Sequence, residues 1–137
     1  MATAKAEQKL AASAETVWAA IGAFGSLADW HPAVESLEPG EGGKLRRLHI
    51  TGGALFVERL EQHDDHARSY TYTILESPVP VTDYHSTLSV TAEPGGKHCL
   101  VQWIGHFQPK GVTDAEAEHI VFGIYRAGLD ALKQKFG

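Results

Sequence analysis

The sequence predicts an α+β fold: a seven-stranded antiparallel sheet wrapped around one long C-terminal helix, with two short helices after the first strand. Three observations carry this. The N-terminal TAKAEQKLA alternates with a period of two. Six further runs rich in β-branched and aromatic residues follow, joined by turn-forming links too short for parallel crossovers. The final stretch changes to a helical period and is the only element long enough to cover one face of such a sheet.

Each element has its own local cause. In the first strand Lys5, Glu7 and Lys9 fall on one side, Ala4, Ala6, Gln8 and Leu10 on the other. Ser13 is placed to cap a short helix with Glu15 in its first turn, and Gly22 and Gly25 end it. A second helical turn over 26–30 is stopped by His31-Pro32. The strands read as VESLEP, KLRRLHIT, ALFVERLEQ, ARSYTYTILE, TDYHSTLSVTA and HCLVQWIGHFQ, punctuated by PGEGG, TGG, HDDH, SPVP and EPGG. Thr113 and Glu116 form a capping box, and apolar residues then recur at three and four, predicting a helix over 114–135.

Composition narrows the function classes. The 137 residues suit one domain, 1–137, able to bury a core without staples. The net charge of -5 and the lack of a basic block argue against nucleic acid or an anionic membrane as partner. One cysteine, Cys99, excludes an internal disulfide and a thiolate metal cluster. No run approaches the ~20 apolar residues of a membrane span. MATAKAEQKL lacks the apolar stretch of a signal peptide, so the expected location is cytoplasmic. No motif implies a metal or another cofactor, and the His63-Asp64-Asp65-His66 tract reads as a hairpin turn.

The candidate site follows from polar groups on faces expected to look inward. Trp30 and His31 sit at the end of the short helices, where Pro32 would hold the ring, and are placed at the cavity mouth. Phe56, Glu58 and Leu60 share one strand face. A hairpin near Gly52-Gly53 would set Glu58 opposite Arg47 and Phe56 opposite His49, with Arg47 offsetting an inward acid. Tyr70 and Tyr72 share a face, as do Tyr84 and Ser86, and Trp103 and Gly105; Ser86 and Gly105 are small where a filled core would want bulk. Gly128 lies on the helical stripe with Ile124. It and Gly123 serve either close packing or free volume.

The chain resembles the helix-grip superfamily of START lipid-transfer domains, birch-pollen-allergen-like proteins, aromatic polyketide cyclases and plant abscisic-acid receptors, and within it the small bacterial polyketide cyclase/dehydrase-like branch. VWAAIGAFGSLADWHPAVES, LRRLHITGG, VERLEQHDDHARSYTY, PVTDYHSTLSV, VQWIGHF and YRAGLDALK carry the likeness in order. It implies a cavity between sheet and helix, on a fold that hosts carriers, receptors and enzymes. By likeness to the receptors, Glu58, Tyr84 and Ser86 fall on pocket positions, Glu58 points inward, and His31 replaces a pocket lysine. Thr51-Gly52-Gly53 is shorter than the receptor gate, and Pro78-Val79-Pro80 replaces the latch, so hormone sensing is not implied. The expected function is binding of a small hydrophobic or aromatic molecule by a monomer. The alternatives are a cyclase or dehydratase using Glu58 and His31 as acid and base, or a protein-interaction domain. The cavity is expected to open near Trp30, Gly52 and Val79-Pro80.

Overall fold

The computed structural model describes residues 1–137. Strand β1 (Ala2–Leu10) precedes helices α1 (Ala14–Ile21) and α2 (Leu27–Trp30). Strands β2 (Val34–Gly40), β3 (Leu45–Ile50), β4 (Leu55–Asp64), β5 (Ser69–Glu76), β6 (Val81–Ala92) and β7 (Cys99–Pro109) follow, and α3 (Asp114–Phe136) ends the chain. The sheet runs β1-β7-β6-β5-β4-β3-β2, antiparallel throughout. This is the α+β, seven-stranded, helix-gripping architecture expected. Two short 3-10 turns, Phe24–Ser26 and Glu41–Gly43, are additional.

The local signals act as their chemistry dictates. Ser13 Oγ accepts from the amide of Thr16, and Thr113 Oγ1 accepts from that of Glu116. The 23 residues of α3 span about 35 Å, enough to cross the sheet. Its buried stripe, from Ala117 and Val121 through Tyr125 and Leu129 to Leu132, meets the inward faces of β5, β6 and β7, including Tyr72, Leu88, Val101 and Phe107. Asp64 Oδ1 accepts from the amides of His66 and Ala67, which makes His63-Asp64-Asp65-His66 a side-chain-closed turn.

β1 is one edge of the sheet, and α3 leans on it. Glu118 accepts from the amide of Thr3, Arg126 donates to the carbonyl of Glu7, and the amide of Ala11 donates to the carbonyl of Gly137. At the other edge β2 carries a bulge between Val34 and Ser36, and Pro39. No helix is long and apolar enough to cross a membrane.

The β3–β4 hairpin corrects the expected register. Ile50 and Ala54 close a three-residue loop, Thr51-Gly52-Gly53, with φ of 99° at Gly52 and 103° at Gly53. Both glycines adopt the left-handed region that disfavours side chains. The turn therefore centres on Gly52 rather than between the two glycines. Arg46, not Arg47, faces Glu58, and Leu48, not His49, faces Phe56. Strand side chains alternate, so this single step turns Arg47 and His49 to the outer face, where both are exposed.

Candidate functional site

Between the sheet and the N-terminal half of α3 lies a cavity of about 300 Å³. Fifteen of its 18 lining residues are hydrophobic, so its walls are apolar with few polar points. Leu48, Phe56, Ile74 and Trp103 contribute from the strands, Val121, Ile124 and Ala127 from α3, and Leu27 from α2. Ile50, Val79, Ile120 and Gly123 line its outer part, and Ile120 is 41% exposed. Glu58, His31, Tyr72 and Tyr84 bring polar atoms to it.

Glu58 points inward and is buried. Arg46, fully buried, contacts its Oε1 through Nε and Nη2, both at 2.8 Å. Arg46 Nη1 donates to the carbonyl of Phe24 at 2.9 Å and to the Tyr70 hydroxyl at 3.3 Å. The guanidinium lies 4.0 Å from the centre of the Phe24 ring and 4.9 Å from that of Tyr72, a desolvated cation on aromatic faces. Burial pushes the Glu58 carboxyl above its usual range, and the charge of Arg46 offsets part of that rise. Both contacts of Arg46 with Glu58 are to Oε1, which leaves Oε2 without a hydrogen-bond partner in the protein. Glu58 lines the cavity, and Oε2 is not sealed off, so this oxygen is presented to the cavity.

A second polar cluster joins β5, β6, β7 and α3. Trp103 Nε1 donates to the Tyr72 hydroxyl at 3.1 Å, and Tyr72 and Tyr84 share a hydrogen bond of 3.3 Å. Tyr84 bonds Tyr125, and Tyr125 bonds Ser86 Oγ at 2.8 Å. Burial raises the pKa of all three phenols, so they stay neutral. The Tyr125 ring stacks on Trp103 at 4.6 Å.

His31 closes α2. Its Nε2 donates to the carbonyl of Ile124 at 2.8 Å and its Nδ1 accepts from the amide of Ala33 at 3.2 Å. A carbonyl can only accept and an amide can only donate, so the ring is the neutral Nε2–H tautomer. Burial lowers its pKa, the bond to Ile124 opposes this, and the charge of Arg46 adds to the lowering.

The expected site residues thus divide. His31, Phe56, Glu58, Tyr72, Tyr84, Trp103 and Ile124 line one cavity. Arg47 and His49 do not: both are on the outer face, where His49 pairs with Glu38. Trp30 is not at a mouth either; it is buried against Trp103 and His31, and neither it nor Gly52 lines the opening. Ser86 sits behind Tyr125. A Cβ at Gly105 would fall 2.2 Å from the Tyr125 hydroxyl, so both small residues make room for that phenol rather than for a cavity. Gly128 is a close contact, since its Cβ would come within 2.8 Å of His31 and 3.0 Å of Trp103 and Trp30. Gly123 meets open space and lines the cavity. Sequence reasoning missed Arg46 and Tyr125. Tyr125 carried a signal, lying midway between Val121 and Leu129 at steps of four.

An antiparallel sheet gripping a C-terminal helix over an apolar cavity defines a helix-grip protein. The chain belongs to the polyketide cyclase / dehydrase and lipid transport family, whose model matches residues 1–137. It is similar to the protein XoxI from Bacillus cereus, at 43% identity and a TM-score of 0.97, covering 99% of this chain and 96% of that one. A Bacillus thuringiensis protein is 42% identical with a TM-score of 0.96, covering 98% of each chain. The Zhui aromatase/cyclase from Streptomyces sp. R1128 shares the fold at a TM-score of 0.78 and 20% identity, covering 97% of this chain and 92% of that one. A search of the curated proteins finds no match.

Proposed function

We propose that this protein binds a small, mostly apolar molecule between the sheet and α3, with Glu58, Tyr72 and Tyr84 orienting its polar end. The observation that carries this is the 300 Å³ cavity with apolar walls and a few convergent polar groups, at the lower end of the size range of ligand sites. The family and the fold are consistent with such a role. The acid–base alternative with Glu58 and His31 is less well supported: both His31 nitrogens are engaged and Glu58 is tied to Arg46. The test is an NMR titration of the labelled chain with fatty acids, sterols, flavonoids and aromatic polyketide mimics. Saturable shifts at Glu58, Tyr84 and Ile124 are expected with one of these classes. Shifts confined to the outer face, around Arg47 and His49, would overturn the reading.

A further inference from the structure

Resting on that reading of the cavity, we infer that its polar end offers hydrogen-bond acceptors only, and so selects a neutral ligand with an O–H or N–H donor, a phenol or alcohol on an apolar frame, over carboxylates.

Every side-chain N–H donor on the cavity lining is committed elsewhere, and the two buried donors without a hydrogen-bond partner, Trp30 Nε1 and Arg46 Nη2, belong to residues that do not line it. Arg46 donates Nε to Glu58 Oε1 and Nη1 to Phe24 and Tyr70, its Nη2 lies 2.8 Å from Oε1 within the ion pair, and the residue does not line the cavity. The single ring proton of His31 is held by the Ile124 carbonyl. No lysine or arginine is among the lining residues. The indole N–H of Trp103 can only donate, and it enters the phenol chain at Tyr72. Hydroxyl chains strengthen when donors run head to tail. Taken head to tail from the indole, the order in this inference is Trp103 to Tyr72, Tyr72 to Tyr84, Tyr84 to Tyr125 and Tyr125 to Ser86. In that order each phenol proton is used within the chain, and the oxygens of Tyr72 and Tyr84, two lining residues, each keep a lone pair free to accept. With Glu58 Oε2 this makes three acceptors on one wall. A hydroxyl donating to Oε2 forms a charge-assisted bond, roughly twice as strong as a neutral one. A ligand carboxylate would face Glu58 with no free cation. A ligand cation would add an unbalanced charge, because the Arg46–Glu58 pair is already neutral overall.

The experiment compares three probes with one two-ring frame, substituted at the same position: a naphthol, its methyl ether and the corresponding naphthoate. Each is titrated at neutral pH into the full chain and followed at the amides of Glu58, Ile74 and Ile124. The naphthol is expected to bind about tenfold more tightly than the ether, with the naphthoate weakest. In Glu58→Gln the advantage over the ether should shrink; should that variant not fold, the wild-type ranking still decides. Equal binding of naphthol and ether, or a preference for the naphthoate, overturns the acceptor wall while leaving the cavity a ligand site. Absence of saturable shifts with all three overturns the ligand-site reading and this inference together.

Discussion

Arg46 is the residue on which the interior depends most. It is fully buried, neutralised by Glu58 and sandwiched among Phe24, Tyr70 and Tyr72. Breaking a buried pair by removing one partner leaves the other charge uncompensated, at about 3–5 kcal/mol. Arg46→Met should show a loss of that order in urea denaturation. Arg47→Ala, on the exposed face one position on, should stay within about 0.5 kcal/mol of wild type. Equal losses would place the β3 register one step away from where it is described. This pair also shows where sequence reading stops. Two adjacent arginines offer the same chemistry to either face, and the choice rests on whether a glycine turn holds two residues or three. That is a backbone property of Gly52 and Gly53 that composition does not encode. Glu58 as an inward acid was legible only through the family resemblance.

At the scale of elements, α3 carries two glycines with opposite environments. Gly123 faces open space, so Gly123→Ala should stabilise the chain by up to about 1 kcal/mol through helix propensity. Gly128→Ala meets His31, Trp103 and Trp30, and overpacking of about 1–3 kcal/mol should outweigh the same gain. Gly105→Ala, driven into the Tyr125 hydroxyl, should lose at least as much. Thermal or urea unfolding of the three variants checks this; a common stabilisation of both helical variants would mean packing around Gly128 is looser than described. The elements themselves were legible: the strand faces of β1, β5, β6 and β7, the Ser13 and Thr113 caps and the long helix follow directly from periodicity. What a glycine is small for was not. That depends on a neighbour from another element, such as Tyr125 over Gly105, which local pattern does not show.

At the scale of the whole molecule, two buried groups bend the pH dependence of stability in opposite directions. His31 has a folded pKa below its ordinary 6.5, so the unfolded chain binds more protons there. Its contribution is fully present above about 6.5 and is lost as pH falls toward the lowered folded value. Glu58 has a folded pKa above its ordinary 4.5, so its contribution is lost as pH rises from there through the raised value. Acidification from about pH 7.5 to about pH 5.5 should therefore destabilise wild type more than His31→Gln, since the Glu58 contribution is common to both. Parallel denaturant midpoints for the two proteins would mean that His31 is not held neutral. The sheet-and-helix layering was readable from element order; of the positions expected at the cavity opening Val79 lines the cavity, whereas Gly52 does not and Trp30 packs in the core beside Gly128. The two ends of the sheet have one more consequence. A bare row of amides and carbonyls on a strand is a template for another strand. At β1, α3 occupies part of that row through Glu118 on the Thr3 amide and Arg126 on the Glu7 carbonyl. At β2, the bulge, Pro39 and the exposed Glu35 and Glu38 interrupt it. The helix that roofs the cavity thus also blunts templated growth of the sheet, so a substitution at Arg126 would bear on fibre formation as well as on stability.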